Sequence, residues 1–97
     1  MALEIVWTRR AIAGYDRIID YMEKKWGEKK ITDFIRQSHK FFNLLSVHPE
    51  ILQKTENKKN VYRGPINKHT IVTYRINEGK KQIQLLNIRS SKQKPLK

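Results

Sequence analysis

The basic side chains in the last third of the chain are the residues best suited to chemistry or to binding a charged partner. Arginine carries a planar guanidinium that grips phosphate through paired hydrogen bonds, and lysine provides a mobile point charge. Cleavage of RNA would need such cations to stabilise the phosphorane, a base for the 2′-hydroxyl and an acid for the leaving oxygen. The candidates are Arg63, Lys68, His69, Arg75, Arg89 and Lys92.

These candidates support two different functions. In a nuclease, Arg63 and Arg75 would hold the phosphate, and Lys68, His69 or Lys92 would move protons. A lysine, with an ordinary pKa of about 10.4, is a base at neutral pH only where neighbouring cations crowd it. In a protein that only binds its target, the predicted contact residues are Arg63, Arg75, Arg89 and Lys92. Each of these taken alone is equally well explained as a solvated residue at a strand edge, but the cluster favours a function.

Other chemistries find little support in the sequence. The chain has no cysteine, which excludes disulfides and thiolate ligands. His39 and His48 are nine positions apart without a converging carboxylate pair, so we predict no metal site and no cofactor. The four glycines are scattered and form no phosphate loop. No serine occupies a nucleophile elbow.

The charge distribution predicts an acidic partner. The 97 residues include 21 Lys and Arg against 9 Asp and Glu, a formal net charge of +12. Residues 54–97 hold 12 basic and 2 acidic side chains, or +10, whereas residues 1–53 hold 9 and 7, or +2. A charge that served solubility alone would be interspersed, so this asymmetry indicates a surface that meets phosphates or carboxylates.

The length and the apolar pattern predict one domain, 1–97, in the cytoplasm. No apolar run approaches the roughly 20 residues that span a bilayer, and the first residues lack the layout of a signal peptide. Alternation over residues 3–7 predicts a strand, and Thr8 is suited to cap a helix over about 9–25. A second helix is predicted over about 28–47, with Gly27 capping the first helix and Pro49 closing the second.

The C-terminal half predicts a sheet. Residues 50–60 are polar and typical of a loop, and strands are expected at about 61–66, 70–76 and 82–88. In the middle strand, Val72, Tyr74 and Ile76 alternate with Arg75 and its neighbours, so one face packs while the other shows cations. In the last strand, Ile83 and Leu85 are predicted to lie opposite Leu86 and Ile88. Gly79 is expected to supply a positive φ in the hairpin turn.

The predicted order is β-α-α-β-β-β, an α+β fold. An antiparallel helical hairpin should pack on one face of a C-terminal antiparallel sheet, with the first strand near the sheet edge and a polar tail from about residue 90. Tyr62 is expected either to fill an apolar seam or to stack on a base.

An ordered set of short motifs along nearly the whole chain resembles the RelE/ParE superfamily of type II toxin–antitoxin toxins, also called plasmid stabilisation proteins. The resemblance implies the same β-α-α-β-β-β fold. The chain departs from the family in having Lys92 where an arginine is usual and no aromatic residue after Tyr74. The motifs are IVWT at 5–8, IIDYM at 18–22, VHP at 47–49, YR at 62–63, KHTIVTYRI at 68–76, IQLLNI at 83–88 and KQKP at 92–95.

The resemblance implies a growth-inhibiting toxin. The favoured version is ParE-like and binds a topoisomerase such as DNA gyrase without chemistry of its own. The alternative is a RelE-like, metal-independent endonuclease that cleaves mRNA on the ribosome, and a third possibility is a degenerate toxin or a plain nucleic-acid-binding module. A toxin also implies an acidic antitoxin whose disordered segment folds along it into a hetero-oligomer.

Overall fold

The computed structural model describes residues 2–56, 58–67 and 69–91. Both helices have the predicted bounds, and the α+β class is confirmed. The predicted polar tail lies outside the described residues beyond Ser91, and residue 90 still belongs to a strand. In chain order the elements are β1 (Glu4–Trp7), α1 (Arg9–Lys25), α2 (Glu28–Val47), β2 (Gln53–Lys54), β3 (Val61–Asn67), β4 (Thr70–Asn77) and β5 (Gln82–Ser90).

The strands form one mixed sheet in the order β1-β5-β4-β3-β2. β1 lies at an edge, as predicted, but it runs parallel to β5, whereas all other neighbours are antiparallel. β2 pairs Gln53 with Arg63 and Lys54 with Tyr62, inside the segment predicted to be a loop. Two polar residues carry no alternating pattern, so the sequence gives no sign of this strand.

The Thr8 hydroxyl joins the start of α1 to the sheet. Its oxygen accepts the Ala11 backbone N–H at 3.2 Å, and the same hydroxyl donates to the Leu85 carbonyl at 2.7 Å. One side chain therefore satisfies a free donor of the first helical turn and fixes the helix over β5.

The junction between the helices differs from the prediction. Gly27 is the N-cap of α2 with φ −85°, and Trp26 is the C-cap of α1. The chain turns through two extended residues, so no left-handed glycine is needed. In the β4–β5 turn the positive φ of 54° belongs to Lys81, and Gly79 has no positive φ.

A β-bulge corrects the predicted faces of β5. Thr73 pairs with Asn87, but Tyr74 pairs with Leu85, which leaves Leu86 as an extra residue. The shift returns Ile88 to the face that carries Ile83 and Leu85 instead of the opposite one. All three apolar side chains are buried in the core beneath the helices.

The helices cover only one face of the sheet. α1 lies closely on β5, and a Cβ at Gly14 would overlap the Ile88 carbonyl oxygen. Trp7 packs edge-on against Tyr15 and Phe42, with ring centroids 5.3 and 5.2 Å away. No helix of the described residues lies on the opposite face.

Candidate functional site: an open arginine face and a helix-side groove

Three arginines share the uncovered face of the sheet. Arg63 pairs with Thr73, Arg75 with Gln84, and Arg89 with Ile71. Directly paired residues point to the same side of a sheet, and Thr73, Arg75 and Ile71 alternate with the buried positions of β4. We call this surface, defined by Arg63, Arg75 and Arg89, the arginine face.

The spacing on the arginine face suits extended anionic ligands. Arg63 and Arg75 are diagonal neighbours on adjacent strands, a relation that places Cα atoms about 7–8 Å apart. Their side chains are exposed, and Arg89 is half-buried. Beside Arg63 lies an open depression of about 560 Å³ whose wall includes Gln53, Pro65 and Ile71. The face can therefore bind carboxylates or phosphates through more than one guanidinium.

His69 lies on the helix side, away from the arginine face. Its ring is 5.8 Å from that of Trp26, and its backbone N–H donates to Asn67 Oδ1 at 2.8 Å. Of the described members of the predicted catalytic set, Arg63 and Arg75 are therefore neighbours on one face, whereas His69 is not brought together with them. The other two members, Lys68 and Lys92, lie outside the described residues.

The buried tyrosines have structural roles. Tyr62 is 7% exposed and stacks on Tyr74 at 5.4 Å, so it fills the core rather than presenting a ring to a base. Burial raises the pKa of the Tyr74 hydroxyl to about 12. That hydroxyl donates to the Pro49 carbonyl at 2.6 Å, which ties the end of α2 to the sheet.

A groove on the helix side was not predicted from the sequence. It follows α2 from Lys30 to Leu44 and is closed on the other side by Ile66 and His69, enclosing about 770 Å³. A smaller pocket of about 330 Å³ adjoins it, with Tyr21 in its wall. We call these the helix-side groove and the Tyr21 pocket. Two apolar residues that flank the core stripe of α2, Phe41 and Leu44, are the feature of the sequence that could have indicated this groove.

Other kinds of site find no support in the described part of the chain. Within residues 2–56, 58–67 and 69–91 no three His, Asp or Glu side chains form a metal-binding group. In those same ranges neither helix has the length and apolarity needed to cross a bilayer.

The fold and the sequence identify the class of protein. The structure superposes on a chromosomal ParDE toxin–antitoxin system of Pseudomonas aeruginosa with a TM-score of 0.72 and 21% identity, covering 92% of this chain and 96% of that one. It also resembles a variant of the E. coli toxin RelE in the free state, with a TM-score of 0.62 and 13% identity over 95% and 86% of the two chains. The fold is that of the RelE/ParE superfamily of toxins.

The sequence comparisons narrow the class. Residues 5–95 match the family described as the ParE toxin of the type II toxin–antitoxin system parDE. The chain is 32% identical over 69 residues to Toxin ParE1 of Caulobacter vibrioides, covering 71% of this chain and 72% of the relative. The chain therefore belongs to the ParE toxin family of type II toxin–antitoxin systems.

Proposed function

We propose that the protein arrests growth by binding a topoisomerase such as DNA gyrase through its arginine face, without chemistry of its own. The observation that carries this proposal is that the arginines and the described proton-transfer candidate lie on different sides of the sheet. Arg63, Arg75 and Arg89 share one open face, while the described proton-transfer candidate, His69, lies on the helix side. The match to the ParE family supports the same target.

The arginine face is suited to a binding toxin for electrostatic reasons. Guanidinium groups pair with carboxylates and phosphates in a planar, two-bond geometry that lysine cannot reproduce. The rigid sheet holds these groups in place, and the net charge of +12 raises the rate of encounter with an acidic surface. Binding of this kind should weaken steeply as the salt concentration rises.

An in vitro supercoiling assay with purified DNA gyrase tests the target. The wild-type chain should inhibit supercoiling. The triple variant Arg63→Ala, Arg75→Ala, Arg89→Ala should reach the same inhibition only at a protein concentration at least about a hundredfold higher. The matched control removes three helix arginines instead, by Arg9→Ala, Arg10→Ala and Arg36→Ala. Its inhibitory concentration should stay within about threefold of that of the wild type. Unimpaired supercoiling at saturating wild-type protein would remove gyrase as the target.

The alternative is a ribosome-dependent mRNA endonuclease. It is favoured by the diagonal pair of Arg63 and Arg75, which could clamp a backbone phosphate, and by the likeness to the RelE fold. Lys68 or Lys92 would then move the protons. Toeprinting on programmed ribosomes distinguishes the two targets. If the protein is a nuclease, the wild-type chain should cut the message, and the variants Lys68→Ala and Lys92→Ala should leave it uncut.

The cognate partner in either case is an acidic antitoxin, and either target places the toxin in the cytoplasm. Expression of the 97-residue domain without the antitoxin should arrest growth, and co-expression with the small acidic product of the neighbouring gene should restore it. The two proteins should co-purify at low salt. Unchanged growth without the antitoxin would instead favour a degenerate toxin or a plain nucleic-acid-binding module.

A further inference from the structure

The Tyr21 pocket is a recess under α1, where β4 begins and β5 ends. Its volume of about 330 Å³ lies at the lower end of the range for small-molecule sites, about 300–1,000 Å³. Met22, Phe34 and Thr70 line it and are buried, whereas Arg17 and Tyr21 line it and are exposed. The recess therefore has an inner end, an end open to solvent, and room for a ligand with a single ring system.

The walls of the pocket suit a flat aromatic ring. Trp26 and Phe34 both line it, and the ring of His69 lies 5.8 Å from that of Trp26. Tyr21 contacts the same tryptophan edge-on, with ring centroids 6.3 Å apart. Aromatic rings attract one another at centroid separations of about 4.5–7 Å. A ring that enters the pocket would therefore meet several aromatic partners.

The inner end of the pocket carries a polar group without a partner. Thr70 is fully buried, and no atom of the described residues forms a hydrogen bond with its Oγ1. Met22 and Phe34, which are buried beside it in the pocket wall, offer no hydrogen-bonding side chain of comparable strength. A buried hydroxyl without a partner costs free energy. A ligand that brings a hydroxyl or an N–H to this end would remove that cost.

The charge at the open end of the pocket favours an anion. The Arg17 side chain is exposed and forms no salt bridge with a described residue. None of the described residues that line the pocket is acidic. A guanidinium pairs with a carboxylate through two parallel hydrogen bonds. The open end is therefore suited to the carboxylate of a ligand whose ring lies deeper in the recess.

We propose that the Tyr21 pocket binds a small aromatic acid, a planar ring with a carboxylate at one end and a hydroxyl or N–H at the other. The ring would pack against Trp26 and Phe34, the carboxylate would pair with Arg17, and the polar substituent would form a hydrogen bond with Thr70 Oγ1. The site is independent of the proposed function, because it lies on the helix side, away from the arginine face.

Three related compounds test the two polar contacts from the ligand side. Para-hydroxyphenylacetate carries both polar groups, phenylacetate lacks the hydroxyl, and tyrosol has an alcohol in place of the carboxylate. The first should bind the purified chain with a Kd on the order of 100 µM, as expected for a ligand of this size. Phenylacetate should bind about fivefold more weakly, and tyrosol about tenfold more weakly. Calorimetry measures all three, and tyrosol that binds as tightly as the hydroxylated acid would contradict the proposed ligand class.

Matched variants test the same contacts from the protein side. Thr70→Val keeps the side-chain shape and should weaken binding of para-hydroxyphenylacetate about fivefold, while binding of phenylacetate stays within about twofold. Its control is Thr73→Val on the opposite face of β4, which should change neither Kd. Arg17→Gln should weaken binding of both acids about tenfold and leave tyrosol within about twofold. Its control is Arg10→Gln, an exposed position of α1 outside the pocket, which should bind as the wild type does.

Fluorescence locates the bound ligand. The chain has two tryptophans, so Trp7→Phe leaves Trp26 as the only one. Titration with para-hydroxyphenylacetate should change the Trp26 emission with the Kd that calorimetry gives for the wild-type chain. An unchanged emission in a variant that still binds the acid would place the ligand elsewhere and overturn the proposal.

Thermal unfolding of the wild-type chain provides a readout that needs no substitution. A ligand that binds only the folded chain, at about ten times its Kd, should raise the Tm by roughly 5 °C. Absence of both binding heat and a Tm shift at about a hundred times the expected Kd would overturn the proposal. Binding that neither Thr70→Val nor Arg17→Gln weakens would overturn it as well.

Discussion

The two faces of the sheet use the same strands for different purposes. On the covered face Val72, Tyr74, Ile83 and Leu85 are fully buried. On the open face the residues between them include Arg75, which is exposed. Because side chains alternate along a strand, a single residue step separates a buried position that stabilises the fold from an exposed position on the arginine face. The stability of this toxin and its recognition of a target should therefore be separable by mutation.

The largest expected difference between the faces is in stability. Leu85→Ala deletes a fully buried side chain and should lower the free energy of unfolding by about 4 kcal/mol. Arg75→Ala removes an exposed side chain and should change that free energy by less than about 0.5 kcal/mol while weakening target binding. Urea denaturation of both variants measures the difference. Comparable losses of stability would show that the open face also holds the fold together.

Gly14 tests how closely the covered face is packed. A Cβ at this position would meet the Ile88 carbonyl, which is backbone and cannot rotate away. Gly14→Ala should therefore cost about 3 kcal/mol by pushing α1 off β5. Gly27→Ala is the control, because its Cβ would meet nothing within 4 Å and its φ of −85° suits alanine. If thermal unfolding showed the two variants to be equally stable, α1 would sit more loosely on the sheet than the structure indicates.

Much of this fold follows from local patterns in the sequence. The periodic stripes fixed both helices, and alternation in β4 placed Arg75 opposite Val72, Tyr74 and Ile76. The predicted facing of side chains in β5 was wrong where one extra residue interrupts the alternation along the strand. The extra residue Leu86 places the Ile88 side chain on the opposite face of the sheet from the one that was predicted. A prediction that assumes strict alternation of side chains cannot detect such a bulge.

The candidate surfaces were predictable to different degrees. Alternation in β4 was enough to place Arg75 on a cationic face. The position of His69 was not predictable, since the β3–β4 turn directs it to Trp26, 43 positions earlier in the chain. The helix-side groove depends on how α2 packs against β3, and sequence spacing within α2 alone does not show which apolar residues stay uncovered.

Alkaline pH should distinguish the covered face by its tyrosines. The pKa of Tyr74 is raised from 10.0 to about 12 by burial, so below pH 10 its hydroxyl is neutral in both states. As the pH rises from 10 to 12 the unfolded chain ionises first, which favours unfolding. Tyr74→Phe should lose about 1 kcal/mol at pH 7 with the hydrogen bond to Pro49, but its stability should fall less between pH 10 and 12.

The control for this pH experiment is Tyr21→Phe, which removes a tyrosine hydroxyl from a side chain that is 54% exposed. Urea denaturation at several pH values between 8 and 12 supplies the measurement. A decline in Tyr74→Phe as steep as in the wild type would mean that other groups dominate alkaline unfolding.

The smallest expected effect has the opposite sign from the others. Thr70→Val on the covered face replaces a buried hydroxyl that lacks a hydrogen-bond partner among the described residues, while keeping the side-chain shape. The free chain should gain about 1 kcal/mol of unfolding free energy, since the cost of desolvating that hydroxyl disappears. Thr73→Val, on the half-buried open side of the same strand, should be close to neutral. A loss of stability in Thr70→Val would mean that the Thr70 hydroxyl is hydrogen-bonded in the free protein and stabilises the covered face.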